Sequence, residues 1–134
     1  MQKANDQVQN TLLQCPMMCL FAWIVGCIAW NVVGVILVAR GGPGIGPTAS
    51  LPLAGGLAAV ALLLWLAAKK SLLLFSLLGG LCGLAGLAAV IQAITGDPSA
   101  WPSPFWRWAG AALNAGGALA GIFAVARGLG AKRI

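Results

Sequence analysis

Long stretches without charge constrain this chain more than any other feature. Four apolar runs recur along its 134 residues, and a run of about 20 residues is long enough to cross a hydrocarbon core about 30 Å thick. Only 7% of the residues carry charge, against 60% that are hydrophobic. A soluble fold of this size needs far more charge on its surface. We therefore expect an integral membrane protein.

The lack of water in a bilayer decides between the possible secondary structures. Backbone groups in lipid must pair with one another, which leaves α-helices or a closed β-barrel. Barrel strands would appear as segments of about ten residues that alternate apolar and polar side chains, and these runs do not alternate. The predicted fold is all-α, a single membrane domain with four transmembrane helices in an up-down antiparallel bundle.

Glycines, prolines and charged residues set the predicted helix boundaries. The transmembrane helices are expected at about 16–39, 49–68, 71–95 and 108–126. Residues 1–15 are predicted as a short helix on the membrane surface or as a frayed tail, and residues 127–134 as a cytoplasmic tail. Pro16 is expected in a first helical turn, where proline costs little. Lys69 and Lys70 are predicted at the tip of a tight hairpin, because charges inside one bent helix at mid-bilayer would be costly.

Basic residues are distributed unevenly between the two sides of the predicted bundle. The side shared by both termini and the hairpin holds Lys3, Lys69, Lys70, Arg127, Lys132 and Arg133. The other side holds Arg40 and Arg107. This asymmetry predicts that both termini lie in the cytoplasm, with the chain in a bacterial inner membrane or its equivalent. The net charge of +6 arises from these flanks and not from a basic patch mixed with aromatics, so no nucleic-acid partner is expected.

Small residues are concentrated in the third and fourth predicted helices. The candidate helix-packing positions are Gly79, Gly83, Gly86, Gly117 and Gly121. Glycines spaced four apart let two helices approach until their backbones touch. Two interpretations remain open: the glycines pack one bundle internally, or one glycine face docks a partner subunit or another copy of the chain.

Three amide side chains interrupt the apolar runs, namely Asn31, Gln92 and Asn114. At about 1.5 Å per residue from the nearest loop, all three lie in the outer half of the membrane. They are predicted to form one hydrogen-bonded cluster between the first, third and fourth helices. Structural bonding is favoured over a substrate or ion path, although such interhelical bonds average only about 0.6 kcal/mol.

The loop at 96–107 is rich in proline and aromatic residues. Indole rings prefer the headgroup layer of a membrane. Trp101, Trp106 and Trp108 are therefore predicted as interfacial anchors that hold this loop flat against the membrane.

Sulfur-containing side chains at the start of the first run offer the weak candidates for a metal site. Cys15, Met18 and Cys19 bring together thiol and thioether groups, which are soft ligands suited to Cu(I). The structural alternative is favoured, because cysteine is a common small apolar residue of buried helices and the chain contains no histidine. We expect no metal site and four reduced thiols.

Groups suited to catalysis are scarce. The two acidic residues, Asp6 and Asp97, lie outside the apolar runs and far apart in sequence, which disfavours proton coupling and acid–base chemistry. We expect no enzyme activity and no cofactor, and we allow for bound lipid. The leading hypothesis is a non-catalytic accessory or scaffolding subunit that packs against other membrane proteins or copies of itself. A small oligomeric channel or carrier is the alternative, and a membrane immunity or regulatory protein is a third.

Overall fold

The computed structural model describes the backbone of residues 2–130 and the side chains of residues 14–130. Its elements are α1 (Gln2–Ala39), α2 (Leu51–Lys70), α3 (Leu72–Thr95), a 3₁₀ turn (Pro98–Ala100) and α4 (Pro104–Gly130). Each of the four α-helices contains a segment long and apolar enough to cross a membrane. The helices pack against one another, which confirms the predicted four-helix architecture of a multi-pass membrane protein.

The first helix is longer than the sequence indicated. α1 is continuous, so the described part of residues 1–15 is neither a separate surface helix nor a frayed tail, and Pro16 lies inside the helix. At 1.5 Å per residue it extends about 57 Å, well beyond a hydrocarbon core of about 30 Å. The segment Gln14–Ala39 is long and apolar enough to cross the membrane, and the polar residues that precede it in the sequence include no glycine or proline to end the helix.

The last helix is also longer than expected, and it begins earlier. α4 starts at Pro104 because proline is well suited to the first position of a helix. It continues through Arg127 to Gly130, so part of the predicted tail is helical. Lys132 and Arg133 lie outside the described residues.

A single residue connects α2 to α3. Ser71 has an extended backbone; its N–H caps the end of α2, and its side chain accepts a hydrogen bond from the start of α3. Leu53 near the start of α2 and Gln92 near the end of α3 line the same cavity, so the two helices run antiparallel. The chain therefore reverses at a tight hairpin next to Lys69 and Lys70, as the sequence predicted. We call this end of the bundle the lysine end and the opposite end the loop end.

The apolar core occupies the half of the bundle nearer the lysine end. Leu20, Ile24, Leu64, Phe75 and Ala124 are fully enclosed there, with contributions from all four helices. Lipid is as apolar as these side chains, so close packing, rather than exclusion of water, holds such helices together.

The closest helix contact joins α3 and α4 through glycine backbones. A Cβ added at Gly83 would lie 3.0 Å from the Cα of Gly121, and one added at Gly86 would lie 2.8 Å from the backbone oxygen of Asn114. Real Cβ atoms essentially never come closer than 3.0 Å to such atoms. Only glycine at these positions allows α3 and α4 to pack this closely.

Two further glycines of α4 make room for buried side chains. Gly117 faces the indole of Trp23, and Gly128 faces Ser76. The Nε1 of Trp23 and the Oγ of Ser76 have no hydrogen-bond partner within the described part of the chain. These side chains therefore gain packing at the expense of an unpaired polar atom, which is normally costly.

An uncharged cavity at the loop end

The first loop folds back onto α1. Gly41 has a φ of 79°, a left-handed conformation that favours glycine, and it turns the chain at the end of the helix. Ile45 is buried, and the backbone N–H of Ser50 donates to Oδ1 of Asn31 at 3.0 Å. The Ser50 side chain then accepts from the N–H of Leu53 and caps α2. Asn31 thereby holds the start of α2 against α1.

The second loop places an indole ring over glycine backbone. A Cβ added at Gly46 or at Gly110 would lie 3.1 Å from the ring of Trp101. Trp30 borders the same two glycines and packs edge-to-face on Trp106, with ring centroids 5.7 Å apart. Because the two glycines lack side chains, the first loop, the second loop and α4 meet around a pair of tryptophans.

The charged side chains in and just after the second loop form hydrogen bonds with backbone groups. The guanidinium of Arg107 donates to the carbonyl oxygens of Ala93 and Ile94, which lie in the last turn of α3 and lack helical partners. Asp97 caps the 3₁₀ turn, where hydrogen bonds from the side chain and then the backbone N–H of Ser99 lower the pKa of the carboxyl group. From the sequence, Arg107 was interpreted only as a positive charge that helps to set the orientation in the membrane. The structure shows that it also caps the C-terminal end of α3.

Below these loops lies a cavity of about 210 Å³ that all four helices border. Its polar lining comes from Asn31, Thr48, Gln92 and Asn114, and its aromatic lining from Trp23, Trp30 and Trp101. Within residues 14–130, no charged side chain lines it. Most cavity residues belong to the loop-end halves of the helices, and Trp23 and Cys27 belong both to the cavity lining and to the apolar core on the lysine side. The cavity is therefore closed toward the lysine end.

The three predicted amides line this cavity without bonding to one another. Asn31 Nδ2 donates to the carbonyl of Cys27 at 2.8 Å, and Asn114 Nδ2 to that of Gly110 at 2.9 Å, each one turn back in its own helix. Gln92 is exposed, and its side chain makes no hydrogen bond within the described residues, although its backbone carbonyl accepts from the N–H of Gly96. The structure thus replaces the expected direct bonds with a shared cavity, because a short amide reaches a carbonyl of its own helix more easily than a second amide across the gap.

The tryptophans predicted as interfacial anchors separate into two groups. Trp101 and Trp106 turn inward and are half-buried, whereas Trp108 is exposed. The sequence analysis missed Trp65, whose ring lies 3.6 Å from the Nζ of Lys69. Because of this cation–π contact, Trp65 is the better candidate for an interfacial anchor at the lysine end. The spacing of four residues between Trp65 and Lys69 on one helix was the signal in the sequence that could have predicted the contact.

All the glycines singled out from the sequence are buried at contacts within the chain, namely Gly79, Gly83, Gly86, Gly117 and Gly121. The glycines with open space are different ones. Gly55 and Gly56 on α2 and Gly116 on α4 are exposed, and no atom of a neighbouring element lies within 4 Å of a Cβ added at any of them. Room for close packing against another protein therefore exists at these three positions.

The sulfur-containing side chains divide between surface and core. Cys15, Met18 and Cys19 are exposed on α1, whereas Cys27 and Cys82 are buried. All four cysteines are free. Within the described residues, no three His, Cys, Asp or Glu side chains lie close enough to hold a metal ion.

Comparisons with known protein families, with curated proteins and with solved structures give no match to this chain. Three features of the molecule bear on its function: the glycine contact between α3 and α4, the open glycines of α2, and the uncharged cavity at the loop end.

Proposed function

We propose that this chain is a non-catalytic accessory or scaffolding subunit of a membrane complex, formed with other proteins or with further copies of itself. The observation that carries the proposal is the open pair Gly55 and Gly56 on α2. Glycine inside a helix is roughly 1 kcal/mol less favourable than alanine. Nothing within the described part of the chain comes close enough to require glycine there, and a helix from another chain would account for both residues.

The other residues of α2 also favour a docking surface around Gly55 and Gly56. Among its 20 residues only Ala54, Leu64 and Ala67 are buried. Ala58 and Ala59 are exposed beside the glycine pair and extend the face with further small side chains. A second helix laid along this face would meet backbone and methyl groups over about one and a half turns.

The distribution of basic residues supports an inner-membrane location with the lysine end in the cytoplasm. Among the described residues the lysine end holds Lys69, Lys70 and Arg127, and the loop end holds Arg40 and Arg107. Arg107 is paired with helix carbonyls, which leaves Arg40 as the one free cation at the loop end within residues 14–130. Both termini then lie on the cytoplasmic side.

Purification from native membranes in a mild detergent tests the proposal. The wild-type chain is expected to elute in a species larger than one chain with its micelle. Gly56→Leu should release the monomer, and Gly116→Leu, the same change at an open glycine of α4, should retain the larger species. A stable wild-type monomer without any co-purifying protein would contradict the proposal, and equal release by both variants would argue against the α2 face.

The second candidate function is a small-solute carrier, and the specific observation in its favour is the cavity shared by Asn31, Gln92 and Asn114. Transport would require the helices to move, because the core closes the cavity toward the lysine end. Uptake of Cu(I) or of a neutral solute by reconstituted vesicles would favour the carrier, and a scaffold should show none.

A further inference from the structure

We propose that the cavity at the loop end binds a neutral, single-ring aromatic molecule that carries one amide or hydroxyl group. This binding site goes beyond the accessory role and does not depend on it. The size of the cavity, its walls, its free hydrogen-bonding groups and its lack of charge together select such a ligand.

The size of the cavity selects a small ligand. A dry cavity of about 150 Å³ in another protein admits benzene. The cavity in this chain measures about 210 Å³, so it has room for one ring and one small substituent.

The walls of the cavity favour an aromatic ring. Trp23, Trp30 and Trp101 supply three indole surfaces, and Ala85 and Ala89 of α3 border the same space with single methyl groups. Indoles pack favourably against other rings in stacked or edge-to-face geometry. A binding cavity that is mostly apolar, with a few polar groups to orient the ligand, is the usual design of a small-molecule site.

Hydrogen-bonding groups at the cavity are not all occupied. Asn114 uses one N–H on the carbonyl of Gly110, which leaves its carbonyl oxygen free. Gln92 lies at the exposed edge of the cavity. Its side-chain amide makes no hydrogen bond within residues 14–130 and offers two donors and an acceptor. An acyl chain in this space would leave the Asn114 carbonyl oxygen and the Gln92 amide without partners, whereas an amide or hydroxyl substituent would offer them one.

The absence of charge on the cavity walls excludes ionic ligands. No acidic or basic side chain of residues 14–130 lines the cavity, and Arg107 nearby is committed to the carbonyls of Ala93 and Ile94. A charged ligand would lose its hydration without gaining a counter-ion. The ligand is therefore neutral.

Saturation-transfer NMR on the chain in lipid nanodiscs, with benzamide as the probe, tests the site. Wild-type protein should give a saturable transfer to the benzamide ring. Ala89→Leu, which fills the cavity, should weaken binding at least 10-fold, and Ala88→Leu, on the exposed neighbour, should leave it within 2-fold. Circular dichroism checks that both variants remain helical.

Two further measurements separate the site from partition into lipid. Gln92→Leu removes no hydrogen bond from the described fold and should weaken benzamide binding about 2- to 10-fold, the range for one neutral hydrogen bond. Benzoate and benzylamine share the ring but carry charge, and both should bind at least 10-fold more weakly. Absence of saturable transfer in the wild type, an unchanged signal in Ala89→Leu, or equal binding of benzoate would each overturn the proposal.

Discussion

The glycine contact between α3 and α4 leads to a sharp prediction on stability. Gly121→Ala adds a Cβ that would lie 2.7 Å from the carbonyl oxygen of Gly79 and the same distance from the nitrogen of Gly83. Both neighbours are backbone atoms, which cannot rotate away. Since ordinary Cβ contacts begin near 3.4 Å, the two helices must separate by roughly 1 Å, and contacts along the whole interface weaken.

The expected magnitude follows from two opposing terms. Overpacking typically costs 1–3 kcal/mol, and alanine recovers up to about 1 kcal/mol as the better helix former. We expect Gly121→Ala to lower the free energy of unfolding by about 1–2 kcal/mol. Gly116 is on the same helix but has open space around it, so Gly116→Ala gains helix propensity without any overpacking. We expect its free energy of unfolding to be unchanged or up to about 1 kcal/mol higher.

The measurement is unfolding by SDS in mixed micelles, followed by circular dichroism, for the wild type and both variants. The two substitutions are chemically identical, so any difference between them comes from the surroundings of the two glycines. If Gly121→Ala were as stable as the wild type, or if Gly116→Ala lost as much stability, the close approach of α3 and α4 would be refuted.

Three further predictions use the same structure. Asn31→Leu leaves the N–H of Ser50 without its partner and should cost about 1–3 kcal/mol, whereas Asn114→Leu removes only a bond within its own helix and should cost about 0.5 kcal/mol; equal losses in SDS titration would contradict this difference. Arg107→Gln removes the guanidinium from the carbonyls of Ala93 and Ile94, so hydrogen exchange should accelerate in the last turn of α3 while α2 is unaffected; unchanged exchange there would argue against the cap. A membrane-impermeant maleimide should label the exposed Cys15, at the lysine-end edge of the apolar segment, in inside-out vesicles but not in right-side-out vesicles, and should leave the buried Cys27 and Cys82 unlabelled in both; labelling from the opposite side would reverse the proposed orientation.

The sequence predicted the four helices because long uncharged runs have one stable backbone conformation in lipid. Glycines, prolines and charged residues predicted most helix ends to within a few residues of their positions in the structure, including the hairpin between α2 and α3. The exceptions were the two ends. α1 continues through Pro16 and α4 through Arg127, because polar residues outside the hydrocarbon can remain helical and hydropathy does not detect them.

The same sequence left the use of its glycines undecided. Glycine spacing shows which positions allow close approach, but not which helix approaches them. The structure assigns Gly83 and Gly121 to a contact inside the chain and leaves Gly55 and Gly56 open, so α2 becomes a further candidate docking surface beside the face of α3 and α4.

The cavity likewise required the tertiary structure. Depth counting brought Asn31, Gln92 and Asn114 to one level of the membrane, because rise per residue is constant along a helix. Whether they bond or line a space depends on how far apart the helices stand and on where the loops return. Those distances are set by Trp101 over Gly46 and by other contacts between residues remote in sequence, which no local pattern encodes. Hydropathy along the chain thus determined which segments are helices suited to a membrane, and packing between the helices decided which surfaces and which cavity remain available for partners.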